Sequence, residues 1–251
     1  MADSKVRVLV WDENPQHASK EIYPESIRGA VAEGLREMGG DRLLVKTAHQ
    51  DEPEQGITEA ALAETDVLFW WGHVSHGKVE DRTAALVTEA VTQRGMGFIA
   101  LHSAHYSRPF RQILNCMGYL KGGWRENEPP EREEITVCAP KHPIVKGVDD
   151  FVLEQEEMYG APFSTPPPSV IVLQSYFPFG GEYFPSGACW TVGKGIVPDF
   201  ESGKGKGANQ GEGIGRVFYF RPGHESVPTY FDANVRKVLY NATLWAAKVE
   251  D

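Results

Sequence analysis

Four short apolar segments alternate with helix-patterned segments in the first half of the chain, and this alternation constrains the fold more than any other feature. The apolar segments are residues 5–11, 42–47, 66–71 and 98–101, and the helical segments between them are residues 24–38, 58–64 and 79–94. Apolar runs of this length are typical of parallel strands buried on both faces. The β-α-β rhythm therefore predicts an α/β protein, with a mainly parallel sheet and helices on both sides.

The second half of the chain is less regular. Strands are predicted at residues 134–138, 151–153, 170–174, 189–192 and 215–220, and helices at 109–117 and 232–248. The segment 193–213 is rich in Gly, Lys and Asn but lacks the order of a phosphate-binding P-loop. We interpret it as a surface loop or lid and expect no nucleotide cofactor. No linker or repeat divides the sequence, so a single domain over residues 1–251 is expected.

Charge and cysteine content narrow the class of function. Lys and Arg number 25 against 35 Asp and Glu, a net charge of -10, which disfavours nucleic acid and anionic membranes as partners. The N-terminus lacks an apolar signal region, and no apolar run is long enough to span a membrane. The three cysteines are widely spaced, which argues against a disulfide framework or a cysteine zinc site. We expect a cytoplasmic protein.

Histidines are concentrated after the ends of predicted strands. Seven of the eight follow a strand within a few residues: His17, His49, His73, His76, His102, His105 and His224. Because the carboxyl ends of parallel strands meet at one edge of a sheet, we expect several imidazoles to share a cleft there. Such a cluster suits either metal coordination by neutral imidazole or proton transfer near neutral pH.

The segment 95–105 places two imidazoles and a hydroxyl directly after one apolar strand. It reads GMGFIALHSAH, so the strand ends in His102, Ser103, Ala104 and His105. Loops in this position are carried by a rigid scaffold and often hold ligand-binding residues. The alternatives are a hydrogen-bonded core histidine for His102 and a helix cap for Ser103.

Candidate acids lie in a short acidic run that ends in a tyrosine. Glu154, Glu156 and Glu157 precede Tyr159, and a solvated surface run is the ordinary interpretation of such a cluster. This run closes the segment 141–159, KHPIVKGVDDFVLEQEEMY, and a second distinctive segment, 213–224, reads GIGRVFYFRPGH. Together with FIALHSA at 98–104 and the opening strand, these motifs resemble the trehalose-utilisation (ThuA-like) family over nearly the whole chain.

The resemblance implies a class I glutamine-amidotransferase-like fold. This is a flavodoxin-like, three-layer arrangement with added strands in the C-terminal half. It also implies a role in the metabolism of trehalose, related disaccharides or their 3-keto derivatives. Carried onto this sequence, the catalytic residues would be His102, Glu157, Tyr159 and His224.

Other residues are expected to bind substrate or a metal ion. Substrate contacts are assigned to His17, His73, Ser103 and His105. The family often has a histidine-rich loop after the first strand, and here that loop keeps His17 alone. His102, His224 and Glu157 are the candidate ligands of a divalent metal such as zinc.

Three functions remain open on the sequence. The first is an enzyme acting on a sugar or keto-sugar by histidine and carboxylate acid-base chemistry, with metal assistance. The second is a non-catalytic carbohydrate-binding or regulatory protein, because exposed aromatic residues stack on sugars. The third is a serine hydrolase using Ser103 and His224, although the Gly-x-Ser-x-Gly motif is absent. A glutaminase is excluded because no cysteine lies near His102 to act as nucleophile. A homo-oligomer is expected.

Overall fold

The parallel half of the fold follows the predicted alternation of strands and helices. The structure is a computed structural model that describes residues 5–194 and 214–249. Its first elements are β1 (Val6–Asp12), α1 (Ser26–Gly39), β2 (Leu43–His49), α2 (Glu59–Ala63), β3 (Val67–Trp71), α3 (Asp81–Arg94), β4 (Gly97–Leu101) and α4 (Arg108–Leu114). The predicted elements of this half are all present, with ends shifted by up to three residues.

The second half adds antiparallel strands and a closing helix. Its elements are β5 (Lys121–Gly123), β6 (Glu133–Val137), β7 (Phe151–Leu153), β8 (Met158–Gly160), β9 (Val170–Phe177), β10 (Glu182–Val192), β11 (Gly215–Phe220) and α5 (Ala233–Ala246). The sequence analysis missed β5 and β8, which pair only with each other. These are three-residue strands rich in glycine, too short for a periodic pattern. The predicted loop 193–213 lies almost wholly outside the described residues.

Nine strands form one sheet in the order β2-β1-β3-β4-β11-β10-β9-β6-β7. The first five are parallel in their pairings, and the remaining pairings are antiparallel. The order of the first four strands is that of the flavodoxin-like doubly wound fold. The predicted fold class, with a mainly parallel sheet and added strands from the C-terminal half, is confirmed.

The sheet is covered on both faces, which explains why its central strands read as continuous apolar runs. Helices α1 and α5 contribute to the hydrophobic cluster on one face. Helices α3 and α4 contribute to the cluster on the other face, together with Leu62 of α2. Every residue of β3 and β4 is buried. Alternation would be expected only if one face met water.

Helix ends are fixed by residues that the sequence already marks. Thr58 accepts a hydrogen bond from the Ala61 backbone N–H at the start of α2, and Asp232 caps α5 in the same way. Gly95 ends α3 in the left-handed conformation at φ 81°, where a side chain would be strained. The chain therefore turns directly into β4. No helix in the two described segments is long and apolar enough to cross a membrane.

Close packing of β4 against α5 gives a first prediction. A Cβ on Gly97 would lie 2.7 Å from the Ala246 Cβ, well inside contact distance. We expect Gly97→Ala to lower the free energy of unfolding by about 1–3 kcal/mol, the usual cost of overpacking a core. Urea denaturation measures this change. The matched control is Gly77→Ala, because a Cβ there meets nothing within 4 Å. Equal losses in both variants would contradict the packing argument.

Candidate functional site

Three histidines meet beyond the carboxyl ends of three adjacent strands. His73 follows β3, His102 follows β4, and His224 follows β11. The ring centre of His73 lies 5.0 Å from those of His102 and of His224, and the latter two are 5.4 Å apart. The predicted convergence of imidazoles at this edge of the sheet therefore occurs for three of the seven histidines named.

Glu225 completes this cluster. Both of its carboxylate oxygens lie 2.8 Å from His73 Nδ1, and Oε1 also lies 2.6 Å from His17 Nε2. One ligand atom from each of His73, His102, His224 and Glu225 can be chosen so that all four lie within 4.8 Å of one another. We call these four residues the His₃Glu group. Among the residues that the structure describes, no other group of three or more possible ligands is this close.

His102 occupies a strained turn at the centre of the site. Its φ is 52°, in the left-handed region that few non-glycine residues adopt, and its side chain is fully buried. The ring is stacked between Trp71 and Tyr159, with interplanar angles of 14° and 22°. Nδ1 lies 3.3 Å from the Arg221 carbonyl oxygen and donates to it, which leaves Nε2 without a hydrogen-bond partner in the described part of the chain.

Glu157 and Tyr159 lie beside the His₃Glu group. Glu157 Oε2 is 3.3 Å from His102 Nε2 but has no hydrogen bond in the described residues, so both atoms are buried and unpaired. Tyr159 lies in β8, and its hydroxyl is hydrogen-bonded to that of Ser103. Glu157, the carboxylate predicted as a metal ligand, is therefore next to the His₃Glu group, whereas Glu225 is a member of it.

Burial controls the protonation of the site. It lowers the pKa of His102 well below its usual value and that of His224 to about 4, so both rings are neutral near pH 7. It also raises the pKa of Glu157. Burial opposes charge on His73 as well, yet the hydrogen bond and charge of Glu225 raise the pKa of that histidine. Glu225 keeps its charge: burial works against it, but the contacts with His73 lower its pKa to about 2.

The remaining predicted residues lie around this centre. His17 is half-exposed and contacts Glu225, so it belongs to the rim, as expected. His105 is buried, and its Nδ1 donates to the Gly118 carbonyl oxygen at 2.7 Å; burial lowers its pKa to about 3. Its hydrogen bond is thus the one expected of a core histidine. His49 lies at the end of β2 and contacts Glu52.

Sequence reasoning missed several residues that shape the site. Glu225 follows His224 directly, and this adjacency was the available signal. Glu13 accepts hydrogen bonds from the backbone N–H groups of Val74 and Ser75 and so positions the loop that carries His73. The Trp124 ring lies 4.7 Å from that of His224 and covers it. Glu13 and Trp124 are distant in sequence from any histidine motif, so no local pattern indicated them.

A buried charge cluster supports the floor of the site. Arg221, fully buried after β11, pairs with Glu133 and lies 3.5 Å from Glu156. Its Nη1 donates to the Glu157 carbonyl oxygen at 2.6 Å, and its guanidinium lies over the Tyr159 ring. This one side chain therefore connects β11 with the segment that carries both Glu157 and Tyr159.

With this geometry, the chain is a flavodoxin-like α/β protein whose polar site lies beyond the carboxyl ends of its parallel strands. A family model described as trehalose utilisation matches residues 7–246. The chain belongs to the trehalose-utilisation (ThuA) family, and the resemblance inferred from the sequence motifs is confirmed. No curated protein matches the sequence.

Solved structures resemble this fold at low sequence identity. A cold-adapted β-galactosidase from Rahnella sp. R3 is 11% identical with a TM-score of 0.57; the match covers 98% of this chain and 32% of that one, so this chain spans about a third of its length. A GMP synthase protein from Thermoplasma acidophilum and the glutaminase domain of Trypanosoma brucei CTPS are each 10% identical. Their TM-scores are 0.47 and 0.48, over 98% of this chain and 96% of each of theirs.

The Arg221 cluster gives a second prediction. Removing the guanidinium leaves two buried carboxylates without their counter-charge, so Arg221→Met should lower the free energy of unfolding by about 3–5 kcal/mol. Chemical denaturation measures this loss. Arg132→Met is the control, because Arg132 pairs with Glu134 at the surface, where ion pairs contribute little. An Arg221→Met protein as stable as Arg132→Met would show that the cluster is not required for folding.

Proposed function

We propose that this protein is an enzyme that acts on a trehalose-related disaccharide or its 3-keto derivative, by histidine and carboxylate chemistry assisted by a divalent metal ion. The observation that carries the proposal is the His₃Glu group, three imidazoles and a carboxylate whose ligand atoms lie within 4.8 Å of one another. The metal would be held by His73, His102, His224 and Glu225.

The chemistry of the donor set fits a metal such as zinc. Zinc takes imidazole nitrogens and carboxylate oxygens, usually four ligands in all. His102 Nε2 is buried and has no hydrogen-bond partner in the described chain, a costly state that a bound ion would relieve. His102 also donates its other ring N–H to a backbone carbonyl, as metal-bound histidines commonly do. The metal would compete with a proton for His73, because only neutral imidazole coordinates.

The residues beside the His₃Glu group suit proton transfer next to a ketone. A divalent metal, when bound, supplies an electrophile that polarises a carbonyl oxygen. Glu157 is placed to take a proton from the carbon beside the ketone, while the electron pair of that C–H bond moves toward the ketone oxygen. Glu157 then returns the proton to the substrate. Burial raises the pKa of Tyr159 well above its usual value, so its hydroxyl stays protonated and donates hydrogen bonds.

Metal content is the first test of this proposal. Protein purified without a histidine tag should contain close to one equivalent of zinc or a similar divalent ion, measured by elemental analysis. Glu225→Gln and His73→Gln should each reduce it strongly, because each removes one of four ligands. His49→Gln is the matched control, since His49 lies outside the His₃Glu group. Metal-free wild type that also fails to bind added zinc, manganese or iron in calorimetry would refute the metal site.

Turnover of a 3-keto-disaccharide is the second test. Glu157→Gln keeps the size of the side chain but removes its basicity, so the rate should fall by about 10²–10⁴-fold. Metal content and thermal unfolding should stay near wild type. Ser103→Ala serves as the comparison, because the Ser103 hydroxyl pairs with Tyr159 and so orients it. Its rate should fall much less.

Two outcomes would favour the alternative functions. Loss of all turnover in Ser103→Ala, with Glu157→Gln fully active, would favour a serine hydrolase. Saturable binding of trehalose or its 3-keto form without turnover by the metal-loaded protein would favour a carbohydrate-binding or regulatory protein. Either result would refute the proposed role of Glu157.

A further inference from the structure

A second pocket lies at the opposite edge of the sheet from the His₃Glu group. It is bounded by residues 140–147, the amino end of β11 and the last turns of α5, and its volume is about 690 Å³. Arg216 is the second residue of β11, whereas His224 follows the carboxyl end of the same strand. A ligand in this pocket would therefore not compete for the site beyond the carboxyl ends.

The pocket collects positive charge in an acidic protein. Lys141, Lys146, Arg216 and Lys248 line it together with His142, and we call these five residues the cationic pocket. No Asp or Glu is among the described residues that line it, although acidic residues outnumber basic ones by 35 to 25 in the chain. Burial and the charge of Arg216 both lower the pKa of Lys248 and of His142, as expected for crowded cations.

Part of this charge has a structural role. Arg216 Nη1 donates to the Trp245 carbonyl oxygen at 2.6 Å, and Lys248 Nζ donates to the Ile214 and Gly95 carbonyl oxygens. Basic residues are favourable at such a helix end, because its last carbonyl groups carry partial negative charge. Those partial charges do not neutralise two full cations. Nor do they account for Lys141, which enters the pocket wall from a separate turn.

We propose that the cationic pocket binds a small molecule that carries a phosphate group, of about the size of a sugar phosphate. Lysine and arginine are the residues that bind phosphate oxygens by charge-assisted hydrogen bonds. A volume of about 690 Å³ is far larger than a phosphate ion needs and lies within the usual range for organic ligands. The half-buried Trp245 ring lines the same pocket and offers an apolar surface to the body of the ligand.

Calorimetric titration of the full chain with glucose 6-phosphate tests this inference, with glucose as the neutral reference and sulfate as the simple anion. Glucose 6-phosphate should bind saturably, and more tightly than sulfate at equal ionic strength, whereas glucose should not bind. The double variant Lys141→Glu, Lys146→Glu should weaken binding at least about tenfold, because two cations near the phosphate become anions. The double variant Lys20→Glu, Lys46→Glu makes the same charge change outside the pocket and should bind like wild type.

A further variant separates this inference from the proposed function. Glu157→Gln alters only the site at the carboxyl ends, so it should bind glucose 6-phosphate with wild-type affinity even though turnover is lost. Absence of saturable binding by wild type would overturn the proposal, as would equal binding by the two double variants. Binding no tighter than that of sulfate would also overturn it, since it would show only non-specific attraction of anions. Loss of binding in Glu157→Gln would place the phosphate in the catalytic site instead.

Discussion

The buried guanidinium of Arg221 is the interaction on which the site depends, because it joins the two halves of the sheet. Arg221 leaves the end of a parallel strand, and its partner Glu133 begins a strand of the antiparallel half. The same side chain binds the Glu157 carbonyl oxygen, and its own carbonyl oxygen accepts from His102. Removing a charge from such a buried set is expensive, so the relative position of Glu157 and His102 is held by the same contacts that hold the fold.

The direction of the strands explains why the remaining polar groups meet where they do. His73 and His102 follow neighbouring parallel strands, and β11 inserts beside β4 to bring His224 to the same edge. A histidine after an antiparallel neighbour would have pointed its strand end away from this cleft. The site is therefore a consequence of where the sheet changes from parallel to antiparallel pairing, one strand beyond β4.

Particular residues show what the sequence could predict and what it could not. His73, His102 and His224 were predictable because each follows a strand whose apolar run is plain, and strand ends in a parallel sheet converge. Tyr159 and Glu157 came from a family resemblance, since an acidic run normally lies in solvent. Glu13 and Trp124 were not predictable, because their contacts with the histidine loop and with His224 are made across the fold. The β5–β8 pairing was also missed, since three-residue strands have no periodicity to detect.

The two carboxylates nearest His102 differ in ways that divide the chemistry between them. Glu225 has contacts from His73 and His17, so its charge is stabilised and it suits a permanent ligand or counter-ion. Glu157 is also buried, yet its Oε2 has no partner in the described chain, and burial raises its pKa. A carboxyl group whose environment does not commit it to one protonation state can exchange a proton with a substrate. In carboxylate pairs of this kind the contrast in surroundings, more than distance from the centre, assigns the roles.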